Sequence, residues 1–120
     1  MEIPKIYESE YRFACIVWEH EPVSIKELIM LCQERLEWKR TTTYTVLKKL
    51  CDKGILKTED SVVISLIPKE EVQKYESAQF IDRTFGGSFP MFIAAFMRNK
   101  TLTKKEIEEI ERLIDDYKGE

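Results

Sequence analysis

The sequence predicts a mostly α-helical fold with one small β-hairpin, and three observations carry that expectation. Apolar residues recur at helical spacing in three stretches before Gly54. Two runs rich in β-branched residues, ILKT and VVISLI, flank the turn-forming triplet Glu59-Asp60-Ser61. From Pro68 onward the helical period returns.

Composition sets the frame. With 120 residues, 43% apolar and 34% charged, the chain can bury one compact core and has no disordered bias. No apolar run approaches the ~20 residues that span a bilayer. The opening MEIPKIYESE lacks a charged-then-apolar secretory pattern, so the expected location is the cytoplasm. Cys15, Cys32 and Cys51 are odd in number and widely spaced, which argues against a disulfide framework.

Each element has its own signal. Ser9 is placed to cap a helix running to about Trp18, with Tyr11, Ala14, Cys15 and Trp18 as its inward stripe. Pro22 marks the break after it. Ser24 and Glu27 form a capping-box pair, and the helix they open turns Ile25, Leu28, Ile29, Cys32 and Leu36 inward. Trp38 closes that segment. A third helix is expected over about Thr41 to Lys53, with Gly54 as its left-handed terminal residue. Thr43, Val46, Leu47 and Leu50 make its inward stripe. The opposite face carries Thr41, Thr45 and Lys48, bordered by Tyr44 on one side and by Thr42 and Lys49 on the other.

Three helices and a hairpin outline a winged helix-turn-helix domain over residues 1–67. Charge layout agrees with a nucleic-acid role despite the net charge of −3. Lys39, Arg40, Lys48, Lys49, Lys53 and Lys57 cluster with Asp52 as the one acid among them, while the acidic excess lies in other segments. Threonine hydroxyls and methyls on the outward face suit base edges, and the neighbouring cations, Lys53 among them, suit phosphates.

Residues 68–120 read as three helices. The first covers about Lys69 to Phe85 and stops at Gly86-Gly87. The second starts near Ser88 and aligns Phe89, Phe92, Ile93 and Phe96. The third starts at Thr103, in a capping box with Glu106, and aligns Ile107, Ile110, Ile114 and Tyr117, close to a heptad seam. About 50 residues of short helices rarely bury enough apolar surface alone. Phe80, Phe85, Phe89, Phe92 and Phe96, with the isoleucines, therefore point to a dimerization domain that joins two copies.

The order and spacing of these residues resemble the penicillinase-repressor family of bacterial transcription regulators, the BlaI/MecI group. Ser9-Glu10 and VWE at 17–19 are similar to the family's opening helix, and VSIKEL to its second. Trp38, Thr42, Thr45, Leu47, Leu50 and the KG at 53–54 follow its recognition-helix pattern. FIDRTFGGS at 80–88 resembles its link into the dimer helices, and TLTKKEIEEIERLID its last helix. The resemblance implies a homodimeric repressor on a palindromic DNA operator, without a cofactor. It places Arg40, Thr41, Thr42, Tyr44, Thr45, Lys48 and Lys49 at DNA, with Thr41 standing where lysine is frequent and Arg40 where proline is. It also implies a membrane sensor metalloprotease as partner, cutting in the dimerization helices. The matching bond is Ala95-Phe96, with alanine where the best-known members have asparagine.

Two other readings stand beside it. An acidic hairpin tip, Glu59-Asp60, suits a winged-helix module that binds protein rather than DNA. Three convergent cysteines would suit a thiol- or metal-responsive regulator, although metal sites favour closer pairs. An enzyme is not expected: the chain has one histidine, no nucleophile motif and no glycine-rich phosphate loop. Nor is a small-molecule ligand or a bound metal.

Overall fold

The structure, a computed structural model, describes residues 2–118. The described elements run α1 (Glu8–His20), β1 (Val23–Ser24), α2 (Ile25–Leu36), α3 (Arg40–Asp52), β2 (Leu56–Glu59), β3 (Val62–Ser65), α4 (Lys69–Phe85), α5 (Phe89–Phe96), a 3-10 turn (Met97–Asn99) and α6 (Lys104–Asp116). The backbone divides into two compact units, one ending at Ala78 and the other beginning at Gln79.

The first unit is a winged helix. Its sheet has the order β1-β3-β2 and is antiparallel throughout. Phe13, Val17, Leu28, Leu50, Ile55, Leu56 and Val63 are fully buried at its centre, and Val72 of α4 completes that core. Each large side chain removed from water in this way contributes about 1.5–3 kcal/mol. Trp18 donates from Nε1 to the Ile67 carbonyl at 3.0 Å, and the Phe13 and Trp38 rings stack at 5.9 Å.

Several local expectations need correction. α1 begins at Glu8, not after a Ser9 cap: Tyr7 is its N-cap, and the Tyr7 amide donates to Glu10 Oε1 at 2.9 Å. Its buried stripe is Glu10, Phe13, Ala14, Ile16 and Val17, while Tyr11, Cys15 and Trp18 are only half-buried. Ser24 does cap α2, accepting from the Glu27 amide at 3.1 Å, but the Glu27 side chain does not return the bond, so the capping box is half formed. In α2 only Leu28 and Cys32 are fully enclosed; Ile25, Ile29 and Leu36 lie at the margin. The strand β1 has only two residues and exists through its pairing of Val23 with Val63 and Ser24 with Val62. No propensity in two residues announces such a strand.

The second unit is built differently. No described residue from Gln79 onward is buried. Ser88 caps α5 by accepting from the Met91 amide at 3.2 Å, and Thr103 caps α6 reciprocally with Glu106. Phe92 sits at the hub of an aromatic cluster, with ring centroids 5.8 Å from Phe80, 5.5 Å from Phe85, and 6.1 Å from Phe89 and from Phe96.

Candidate nucleic-acid interface

The candidate surface is the outward side of α3. Thr43, Val46, Leu47 and Leu50 anchor the helix in the core, which fixes the opposite side toward solvent. Arg40, Thr41, Thr42, Tyr44, Thr45, Lys48 and Lys49 are all exposed there, so the structure brings the seven sequence-derived candidates onto one helix surface. The Arg40 guanidinium lies 5.7 Å from the Tyr44 ring centroid, a cation–π contact that holds the charge at the helix's first turn. Thr45 donates its hydroxyl to the Thr41 carbonyl at 2.9 Å.

The lysines are less uniform than the sequence implies. Lys48 Nζ is 3.3 Å from Asp52 Oδ2, one helical turn on, with both side chains well exposed. Such a surface pair is weak and leaves Lys48 available to a stronger anion. Asp52 belongs to the same face and was missed as a member of it, although its i+4 spacing from Lys48 was readable. Lys53 is not a surface cation. Its Nζ is 2.6 Å from Glu10 Oε1 and 2.8 Å from the Lys5 carbonyl, 5.0 Å from the Tyr7 ring centroid, with Glu10 only 4% exposed. Burial pushes the Glu10 carboxyl up. The Lys53 hydrogen bond, the Tyr7 amide and the charges of Lys53 and Lys49 outweigh that and hold it below its ordinary value.

The hairpin is short and its tip is acidic. Asp60 and Ser61 both adopt left-handed backbone, with φ of 53° and 60°, which makes the tight connection from β2 to β3. The Ser61 carbonyl accepts from the Ile25 amide at 2.9 Å, pinning the turn to the start of α2. Lys57 pairs with Glu59 at 2.8 Å, and that hydrogen bond and charge hold the Glu59 carboxyl below its usual range. A groove of about 490 Å³ lies between α2, α3 and this turn, lined by Ile25, Lys26, Ile29, Met30, Arg40, Tyr44 and Ser61. Lys26 and Arg40 both line it, a pairing the sequence pattern alone does not reveal.

Other candidate groups fall outside this surface. Cys32 is buried, and its thiol is pushed up by burial. Cys51 Sγ sits 3.6 Å from Thr58 Oγ1, and Cys15 is half-buried. No cluster of three or more potential metal ligands occurs among the described residues. In the second unit, Ile93, Ile107, Ile110 and Ile114 are exposed, as are Leu113 and Tyr117 on the same side of α6. Ala95 and Phe96 occupy the last turn of α5, with Phe96 about half exposed and Lys100 Nζ 5.1 Å from its ring centroid.

The sequence profile described as penicillinase repressor matches residues 6–116, across both units. The chain belongs to the penicillinase repressor family. It is 25% identical to the penicillinase repressor of Bacillus licheniformis, over 98% of this chain and 95% of that one. It is 27% identical to the penicillinase repressor of Staphylococcus aureus, covering 93% and 92% of the two chains. The methicillin resistance regulatory protein MecI of Staphylococcus aureus strain Mu50 is 24% identical over 92% and 94%. As a member of the penicillinase repressor family, this winged-helix protein is a transcriptional regulator. None of its described helices is long and apolar enough to cross a membrane.

Proposed function

We propose that this penicillinase repressor family member represses transcription in the cytoplasm as a homodimer on a palindromic operator. Each copy lays α3 in a major groove. Thr41, Thr42, Tyr44 and Thr45 face base edges, while Arg40, Lys48 and Lys49 hold phosphates. The observation that carries this reading is the outward side of α3: hydroxyls flanked by cations, none needed by the core.

Dimerization through the helices after residue 67 rests on the second unit's lack of buried residues. Ile107, Ile110 and Ile114 form a seam on α6, and the phenylalanine cluster with Ile93 supplies further apolar area. Leaving Ile107, Ile110, Leu113 and Ile114 37–56% exposed to water forfeits much of their transfer free energy. A second copy removes that loss, and two-fold symmetry then pairs two recognition helices on one duplex.

Relief by cleavage fits the Ala95-Phe96 bond, in the last turn of α5 just before the 3-10 turn, with a membrane sensor metalloprotease as the partner. The short acidic hairpin favours a second reading, a winged helix that binds protein instead of DNA.

Enrichment of a duplex from a random-sequence pool, followed by a gel-shift salt titration, separates the two readings. A repressor gives a steep fall in affinity with salt, whereas a protein-binding module enriches nothing. In the repressor, Lys48→Glu abolishes binding and leaves the sedimentation coefficient unchanged. Unchanged affinity in that variant removes α3 from the interface.

A further inference from the structure

We propose that Thr45 reads one base as a hydrogen-bond acceptor and selects an amino-bearing base, adenine or cytosine, on the strand it faces. The inference rests on the DNA-binding reading above and deepens it. Its origin is the polarity of one hydrogen bond. A threonine hydroxyl has one proton and two lone pairs. In Thr45 the proton is committed to the Thr41 carbonyl at 2.9 Å, one turn back along the helix. What the side chain then offers outward is an oxygen that can only accept, together with its methyl group.

Its neighbours differ. The hydroxyls of Thr41 and Thr42 have no hydrogen-bond partner among the described residues, so each is free to donate or accept. Thr43 donates to the Lys39 carbonyl at 3.4 Å but is buried and meets no duplex. Thr45 is thus the one exposed threonine of α3 whose polarity the helix itself sets.

The major groove makes that polarity informative. Every base pair presents one amino group there, adenine N6 or cytosine N4, and one keto oxygen, guanine O6 or thymine O4. A free hydroxyl satisfies either by rotating. An acceptor pairs with the amino group and leaves the keto oxygen opposed by a second lone pair. Thr45 therefore distinguishes which strand carries the amino group. Its methyl adds apolar contact wherever a thymine methyl is near, which tilts the choice toward an A·T pair.

The test uses the full chain and motifs enriched from a random-sequence duplex pool, for wild type, Thr45→Val and Thr45→Ser. Valine keeps the shape and the methyl and removes the acceptor; serine keeps the acceptor and removes the methyl. The wild type should prefer adenine or cytosine over thymine or guanine at one position per half-site, by roughly 5-fold to 10-fold, the scale of one hydrogen bond. Thr45→Val should flatten that preference to within about twofold, while Thr45→Ser retains it. Loss of a preference for guanine or thymine in Thr45→Val, an unaltered motif, or a serine variant that behaves like valine would each overturn the assignment. A wild-type chain that enriches no motif overturns the DNA-binding reading itself.

Discussion

Replacing Lys53 with methionine should destabilise the winged helix far more than a surface lysine would. The Lys53 ammonium lies 2.6 Å from Glu10 Oε1 and 2.8 Å from the Lys5 carbonyl, and Glu10 is 4% exposed. Methionine fills most of the stem volume, so packing is largely kept. The Glu10 carboxylate is then stranded in the core with only the Tyr7 amide as hydrogen-bond donor. Removing one partner of a buried pair costs about 3–5 kcal/mol. At the low end this lowers Tm by roughly 12–24 °C for a domain of this size. Glu10→Gln keeps an acceptor for the Tyr7 amide and leaves a lysine that is 23% exposed and better able to reach water, so it should cost about 1–2 kcal/mol. The double variant should cost less than the sum by about 2 kcal/mol, since no charge is left stranded. Urea titrations read by fluorescence suffice, because both tryptophans, Trp18 and Trp38, lie in the first unit. The pH dependence has opposite signs in the two proteins. In the wild type the Glu10 carboxyl is held below its ordinary value, so its stabilising contribution is full at neutral pH and lost as pH falls through that lowered value. In Lys53→Met burial prevails and the carboxyl rises, so stability is lost as pH rises through it. The gap between the two proteins should therefore narrow below about pH 5. A cost under about 1 kcal/mol, additive costs in the double variant, or a gap that does not change with pH would refute this account of the pair.

Two further outcomes follow from the same structure. In the proposed dimer, Ile110→Asp should give monomer in sedimentation equilibrium and weaken binding to an enriched duplex by at least about tenfold, through loss of tethering. Its circular dichroism should stay helical, because Ile110 is 37% exposed within one copy. Asp52→Asn should raise duplex affinity a few-fold and steepen the salt dependence, since Lys48 no longer has an internal competitor 3.3 Å away. The base preferences of that variant should not move.

How much of this was readable in advance depended on whether the deciding contact was local. The outward face of α3 was legible because a 3.6-residue period and four apolar anchors fix both sides of a helix at once. The caps at Ser24 and Thr103 were legible because a cap is decided within three residues. The stripe of α1 was misjudged because Glu10 interrupts the true one, and an acid is rarely buried without a partner. That partner is Lys53, 43 residues later, in an ion pair no local pattern contains. Lys53 was misplaced at DNA for the same reason. β1 was missed because two residues become a strand only by pairing with β3. The groove that Lys26 and Arg40 line likewise depends on the turn at Ser61 being fastened to Ile25.

That long-range pairing also changes how the basic cluster should be weighed. Six cations lie between Lys39 and Lys57. Lys53 is half-buried and paired with Glu10, Lys57 is paired with Glu59 and Lys48 with Asp52, which leaves Lys39, Arg40 and Lys49 without an ion pair among the described residues. The hairpin tip adds Glu59 and Asp60, which repel phosphate instead of gripping it. On the proposed reading, the exposed pairs of Lys48 and Lys57 yield to phosphate, but the engagement of Lys53 and the acidic tip reduce the electrostatic share in one copy's binding, and nonspecific affinity, which is nearly all electrostatic, suffers most. On that reading the contacts that remain are short and directional: threonine oxygens and methyls, and an arginine held on Tyr44. A surface of that kind discriminates between sequences better than it adheres to any of them. On the proposed reading, the apolar seam of α6 and the phenylalanine cluster have a specific physical task. In the proposed dimer, joining two such faces would multiply their selectivity and restore the affinity that Lys53 and the acidic tip withhold.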